Sequence, residues 1–237
     1  MNASPTTELA RFVAGTGLHD LPARVRERAT IVLLDTVASA VAGGLSDEAK
    51  LIEMAARSAT GSGSSPVVGR PPMSAAGAVL LNGYLVTATT VCDVYRPALC
   101  HVTPEVFPPA LAVGIERRVS GADFLLAFAL GLEVTTRIAK GANYPAFRAR
   151  GWHSPGVFGP FGGAAAAGRL LGLDAGMLTN AFGLAGSQAS GTFAHWGTPT
   201  IKFHQARGAF AGYLSAVLAA TGFTAGREVL AAPDGGI

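Results

Sequence analysis

Charge is scarce in this chain: 18 Lys and Arg against 15 Asp and Glu among 237 residues leave 14% charged and a net +3. A disordered tail or a polyelectrolyte binder needs more, since an average globular chain already carries about 25% charged residues. No Lys/Arg-rich run occurs and no aromatics interleave with the scattered arginines. A nucleic-acid partner is therefore not expected, and the pI near 9.1 overstates the basicity. Cysteine is scarcer still. Cys92 and Cys100 share no CxxC spacing, which leaves reduced, buried thiols rather than a disulfide framework or a redox motif. HxxxH, HxxE and Cys/His clusters are missing, so no metal is expected. A GxSxG nucleophile is missing too, and Gly159, Gly162 and Gly163 follow no strand, so no dinucleotide cofactor is expected. Glu8 and Arg11 stand where a signal peptide would have its apolar core, so the expected location is cytoplasmic.

What is abundant is apolar and small. Hydrophobic residues reach 49% and glycines number 31, with a mean hydropathy of +0.38. Charge-free stretches at residues 71–92, 175–201 and 208–226 are each long enough to span a bilayer. Asn82, Thr87, Thr89 and Thr90 interrupt the first, and Asn180, Gln188, His195 and Pro199 the second. The third is built from Ala and Gly without flanking aromatic or basic belts. The expected reading is helices buried on nearly every side, with no membrane partner.

Periodicity predicts helices throughout. After Asp20 as N-cap and Pro22 in the first turn, residues 23–42 place Val25, Ala29, Val32, Leu33, Thr36, Val37 and Ala40 on one stripe, which Gly43-Gly44 ends. Further helices are expected at 6–14, 47–60, 73–91, 104–117, 120–140, 155–171, 174–186, 200–221 and 226–231. The Gly/Ser/Pro-rich segment at 60–72 reads as a surface connection. The glycines of AFGLAGSQASG and GGAAAAG cost about 1 kcal/mol each inside a helix, so they imply close helix-to-helix packing. The last residues, Ala232-Pro233-Asp234-Gly235-Gly236-Ile237, end in a turn and suggest a piece of something longer.

A local pattern occurs three times: a basic side chain beside a Ser/Thr-Pro step that opens a helix. His101 precedes Thr103-Pro104, His153 precedes Ser154-Pro155, and Lys202 follows Thr198-Pro199. A helix start carries free N–H groups and the positive end of the dipole, and an imidazole or ammonium there strengthens the pull on an anion. Converging in space, the three would suit a small polycarboxylate. His and Lys are also the natural acid/base groups beside a carboxylate. Asp93 adds a carboxylate at the end of an apolar helix, where capping and catalysis compete and Arg96 is the nearest partner in sequence. His19 and His195 are not assigned to the site.

These segments resemble the MmgE/PrpD family. The residues that carry the resemblance are RGWHSPGVFGPFGGAAAAGRLLGLD (150–174), NAFGLAGSQASG (180–191), Lys202 and GAFAGYLSAVLAATGFTAGREVL (208–230). Upstream, LLDTVASAVAGG (33–44), VLLNGYLVTATTVCD (79–93), HVTPEVFPPALAVG (101–114) and SGADFLLAFALGLEVTTRIA (120–139) fit in order. The resemblance implies an all-α chain, with residues 1–237 forming the large helical domain and the α/β lid domain not included. It implies a homodimeric lyase acting on a small di- or tricarboxylic acid such as 2-methylcitrate, without cofactor or metal. It also implies catalytic roles for His101, His153, Lys202 and Asp93, with His153 as the acid/base. The family segment H-A-x-D-F-D-D reads Thr87-Ala88-Thr89-Thr90-Val91-Cys92-Asp93 here, so the histidine and two acids are replaced. Dehydration or decarboxylation therefore stands beside two alternatives, a dicarboxylate epimerase and a truncated, non-catalytic chain of the same fold.

Overall fold

Fifteen consecutive residues of one helix, Ser154 to Gly168, are buried, and the rest of the chain is arranged around them. The computed structural model describes residues 4–236, so residues 1–3 and 237 of the expected 1–237 domain lie outside the described residues. In chain order the elements are α1 (Pro5–Gly15), α2 (Ala23–Gly43), α3 (Asp47–Thr60), β1 (Ser65–Val67), β2 (Arg70–Met73), α4 (Ala75–Thr87), α5 (Thr103–Arg117), α6 (Gly121–Gly141), α7 (Tyr144–Ala149), α8 (Ser154–Leu170), α9 (Ala175–Ser187) and α10 (Pro199–Ala220). The architecture is all-α, with one antiparallel hairpin, β1–β2, as the exception among the described residues.

The central helix α8 packs against α10, α6, α5 and α9, while α4 fills the angle between α10 and α5. Helices α2 and α3 lie outside α4, and α1 covers α9. Close contact is possible because the facing residues are small. A Cβ on Gly212 of α10 would sit 2.6 Å from the carbonyl oxygen of Pro160 and 2.9 Å from Cα of Gly163, both on α8. Around these seams Tyr84, Phe128, Phe158, Phe161, Phe182 and Leu130 are fully buried. A buried residue of this size contributes about 1.5–3 kcal/mol from area removed from water. No single helix among the described residues is long and apolar enough to cross a membrane. The predicted stripe of α2 faces inward through Ala29, Thr36 and Ala40, while Ile31, Leu34 and Val41 face outward and are exposed.

Several expectations need correction. Asp20 does not cap α2; it closes a short 3-10 turn, accepting from the Gly17 N–H at 2.8 Å, and Pro22 precedes α2 instead. Residues 60–72 are more than a surface connection, because Asn82 on α4 pins the hairpin there. Its Oδ1 accepts from the Val68 N–H and its amide donates to Pro66 O. Residues 73–91 form a shorter helix than expected. Met73 belongs to β2, Ser74 caps the start, and the chain leaves the helix after Thr87 toward Thr90, whose φ is +59°. The six-residue α7, introduced by Pro145, has no long apolar period to announce it. Residues 226–231 form turns rather than a helix, consistent with the high nucleation cost of so short a segment.

Candidate active site

The shortened end of α4 faces the start of α10, and the gap between them is the candidate site. A cleft of about 390 Å³ opens there, lined among others by Thr87, Thr90, His101, His153, Lys202 and Gln205. His101, His153 and Lys202, which are 101 residues apart at most, thus meet in one cavity. Asp93 does not line it.

The helix-start pattern brings the right residues together for partly different reasons. Thr103 and Ser154 are the first residues of α5 and α8, not their caps. Ser154 Oγ donates to Ala98 O at 2.9 Å, tying α8 to the loop before α5. The cap of α5 is Asp93. Its carboxylate accepts from the Val102 N–H at 3.1 Å, the Thr103 N–H at 3.0 Å and the Thr103 hydroxyl. Arg96 is therefore not its partner. Burial pushes the Asp93 carboxyl above its ordinary value, opposed by the Thr103 hydrogen bonds and nearby His101.

This capping loop holds His101. Its Nδ1 lies 2.8 Å from Asp93 O, and since a carbonyl only accepts, Nδ1 carries the hydrogen. Nε2 is left as the ring nitrogen for the cleft. Cys92 Sγ lies 3.4 Å from the same Nδ1, and burial raises its thiol, so it stays protonated. Lys202, one turn into α10, donates to Ala88 O at the end of α4, which uses one of its hydrogens and leaves two for a ligand.

His153 is 6% exposed and meets the ring of His204 on α10, with the two Nδ1 atoms 3.2 Å apart. Burial, helped by His204, His101 and Arg148, lowers its pKa to about 3. His153 is therefore a neutral imidazole near neutral pH and is not by itself a fixed cation for a carboxylate. His204 is likewise lowered, chiefly by burial and then by His195 and Arg207. Two further residues carry unmet hydrogen-bonding capacity at the wall. Thr87 Oγ1 and Gln205 Oε1 are buried without a protein partner, a cost of about 1–3 kcal/mol each. Trp196 stands at the rim, 69% exposed and stacked on Phe193 at 4.9 Å, while the Arg148 guanidinium lies 3.3 Å from the centre of the Phe193 ring.

Sequence reasoning missed His204, Gln205, Thr87 and Trp196 as members of this site. Three-residue spacing from Lys202 to Gln205 along one helix was the available signal for Gln205; His204 carried none. Among the described residues no three His, Cys, Asp or Glu side chains group as a metal site would.

An all-helical domain thus brings two imidazoles, His101 and His153, and the Lys202 ammonium to one cleft. Residues 7–237 match the MmgE/PrpD N-terminal domain, and the chain belongs to that family. Curated relatives agree. The chain is 30% identical over 238 residues to the cis-aconitate decarboxylase of Aspergillus terreus, covering 98% of this chain and 49% of that protein. It is 32% identical over 246 residues to the cis-aconitate decarboxylase-like protein oryM of Aspergillus oryzae, covering 98% and 50%. With the human cis-aconitate decarboxylase it shares 30% over 236 residues, covering 97% and 49%. The chain thus spans about half the length of the curated relatives it matches.

Proposed function

We propose that this chain is the helical, substrate-holding part of a lyase that decarboxylates a small unsaturated tricarboxylic acid such as cis-aconitate. The convergence of His101, His153 and Lys202 on one cleft carries the reading. Lys202 holds one substrate carboxylate, and His101 holds another as an imidazolium, with Nδ1 donating to Asp93 O and Nε2 to the substrate. A bound polyanion raises the His153 pKa from its low resting value, because opposite charge favours the protonated ring. The bond between carbon and the departing carboxylate breaks, CO2 leaves, and the electron pair spreads toward the remaining carboxylate beside the Lys202 ammonium. His153 then passes its proton to the carbon. Asp93 acts by holding His101 in place rather than by touching substrate.

A second reading is dehydration of a hydroxy acid such as 2-methylcitrate in the same cleft, with His153 as the acid for the leaving hydroxyl. Epimerisation of a dicarboxylate would use the same His153 without a leaving group. Incubation of the full-length protein in deuterated water, followed by NMR, separates the three. Decarboxylation yields CO2 and a deuterated alkene acid from cis-aconitate, dehydration yields an alkene from 2-methylcitrate, and epimerisation exchanges deuterium without an alkene. His153→Ala should abolish turnover with its helical circular-dichroism signal intact. Turnover of none of these acids, or an active His153→Ala, overturns the proposal.

A further inference from the structure

Behind His153 stands a second buried imidazole that the proposed chemistry leaves unused. His204 is 7% exposed, and at 3.2 Å its Nδ1 and that of His153 need one hydrogen between them. Two lone pairs would repel and two N–H groups would collide. The contact is therefore compatible with a neutral pair joined by one N–H···N bond, or with a singly charged pair in which the charged ring donates to the neutral one. A doubly charged pair cannot keep it.

The surroundings reinforce that limit. His153 faces His204 from α10, His101 from the loop before α5 and Arg148 from α7. His204 faces His195 from the turn before α10 and Arg207 on α10 itself. None of these groups is an acid; Glu48 on α3 lines the same cleft but is not among the groups that shift either ring. Backbone packing holds the rings in place. The His153 N–H donates to Gly191 O at 3.0 Å, and a Cβ on Gly191 would come within 2.9 Å of His204 Nδ1, so this loop can lie against the ring only because position 191 is glycine. Among the described residues Nε2 of His153 has no hydrogen-bond partner, which leaves it for the cleft.

We infer that His204 is a positioning residue for His153, sharing one hydrogen across the two Nδ1 atoms and so deciding whether Nε2 meets the substrate with a proton or with a lone pair. The inference rests on the proposal that His153 moves the substrate proton. The step balances. In the singly charged pair His153 carries its hydrogen on Nε2 and accepts at Nδ1 from His204. As the Nε2–H bond breaks and the new C–H bond forms, the shared hydrogen passes from His204 to Nδ1 of His153, and both rings end neutral.

The test uses the full-length protein with His204→Leu, which removes the partner, and His204→Asn, whose amide offers one hydrogen-bonding group near the Nδ1 position. Nitrogen-15 NMR of the imidazoles reads the pair without substrate. The wild type should show a strongly hydrogen-bonded Nδ1 at His153, lost in His204→Leu and partly kept in His204→Asn. With cis-aconitate, His204→Leu should lower kcat by at least about tenfold, a fraction of the roughly 10²–10⁴ that a positioned proton transfer supplies, and leave KM near wild type. It should also move the acidic limb of the pH profile, and His204→Asn should recover part of kcat. An unchanged His153 resonance, or wild-type kcat and pH profile in His204→Leu, overturns the inference. An active His153→Ala removes instead the reading on which it rests, while the NMR result still reports on the pair itself.

Discussion

Asp93 holds Thr103 twice, through its backbone N–H at 3.0 Å and through its hydroxyl, and in doing so closes a loop around His101. One carboxylate thus caps α5 and sets where an imidazole stands. Asp93→Ala should cost about 1–3 kcal/mol by chemical denaturation, the price of orphaned donors at a buried helix start. It should also reduce activity by displacing His101, and Asp93→Asn, which keeps an acceptor, should recover part of both.

Glu105 lies fully buried in α5, packed against Gly159 and Gly208, with both carboxyl oxygens unpartnered. Burial, with Asp93 nearby, holds its carboxyl well above the ordinary 4.5. The unfolded chain releases this proton first as pH rises, so between the two values the native state binds more protons and is progressively destabilised. Glu105→Gln should therefore flatten the loss of stability above pH 4.5, seen as a smaller shift of the denaturation midpoint between pH 4.5 and 8. An unchanged pH dependence would contradict a buried acid at this position.

A carboxylate ligand entering the cleft should carry a proton in with it. His153 is neutral near neutral pH, and an adjacent anion raises its affinity for a proton, so binding strengthens as pH falls. An opposite charge lifts a pKa by about 1–3 pH units, so from a resting value of about 3 the uptake falls in the acid range. Calorimetry with cis-aconitate in buffers of different ionisation enthalpy should show net proton uptake at about pH 5, and His153→Gln should remove it.

Gly212→Ala tests the seam between α8 and α10. Alanine would gain about 1 kcal/mol of helix propensity. Its Cβ, however, would sit 2.6 Å from Pro160 O and 2.8 Å from Ala164 N, backbone atoms that cannot rotate aside. The expected net is a loss of about 1–3 kcal/mol from overpacking, measured by urea denaturation.

The helical architecture was legible in the sequence because its signals are local. Apolar periods, Ser and Asp caps and Pro in first turns announce α1, α3, α6, α9 and α10 closely. Failures arise where a distant residue decides: Asn82 makes a hairpin of a Pro-rich connection, and Asp93, ten residues upstream of Thr103, supplies the cap of α5. His101, His153 and Lys202 were legible because each lies beside a helix start, a feature of sequence. His204 was not, because its partner is 51 residues away and only the packing of α8 on α10 brings the rings together. The charge state of His153 was also out of reach, since it depends on burial.

Only two tryptophans occur in the chain, and one of them, Trp196, stands at the mouth of the cleft on the Phe193 ring. The molecule therefore carries its own optical reporter. With Trp152 replaced by Phe, the emission of Trp196 would follow occupancy of the cleft directly, and its colour would shift to the blue as a ligand displaced water from the rim.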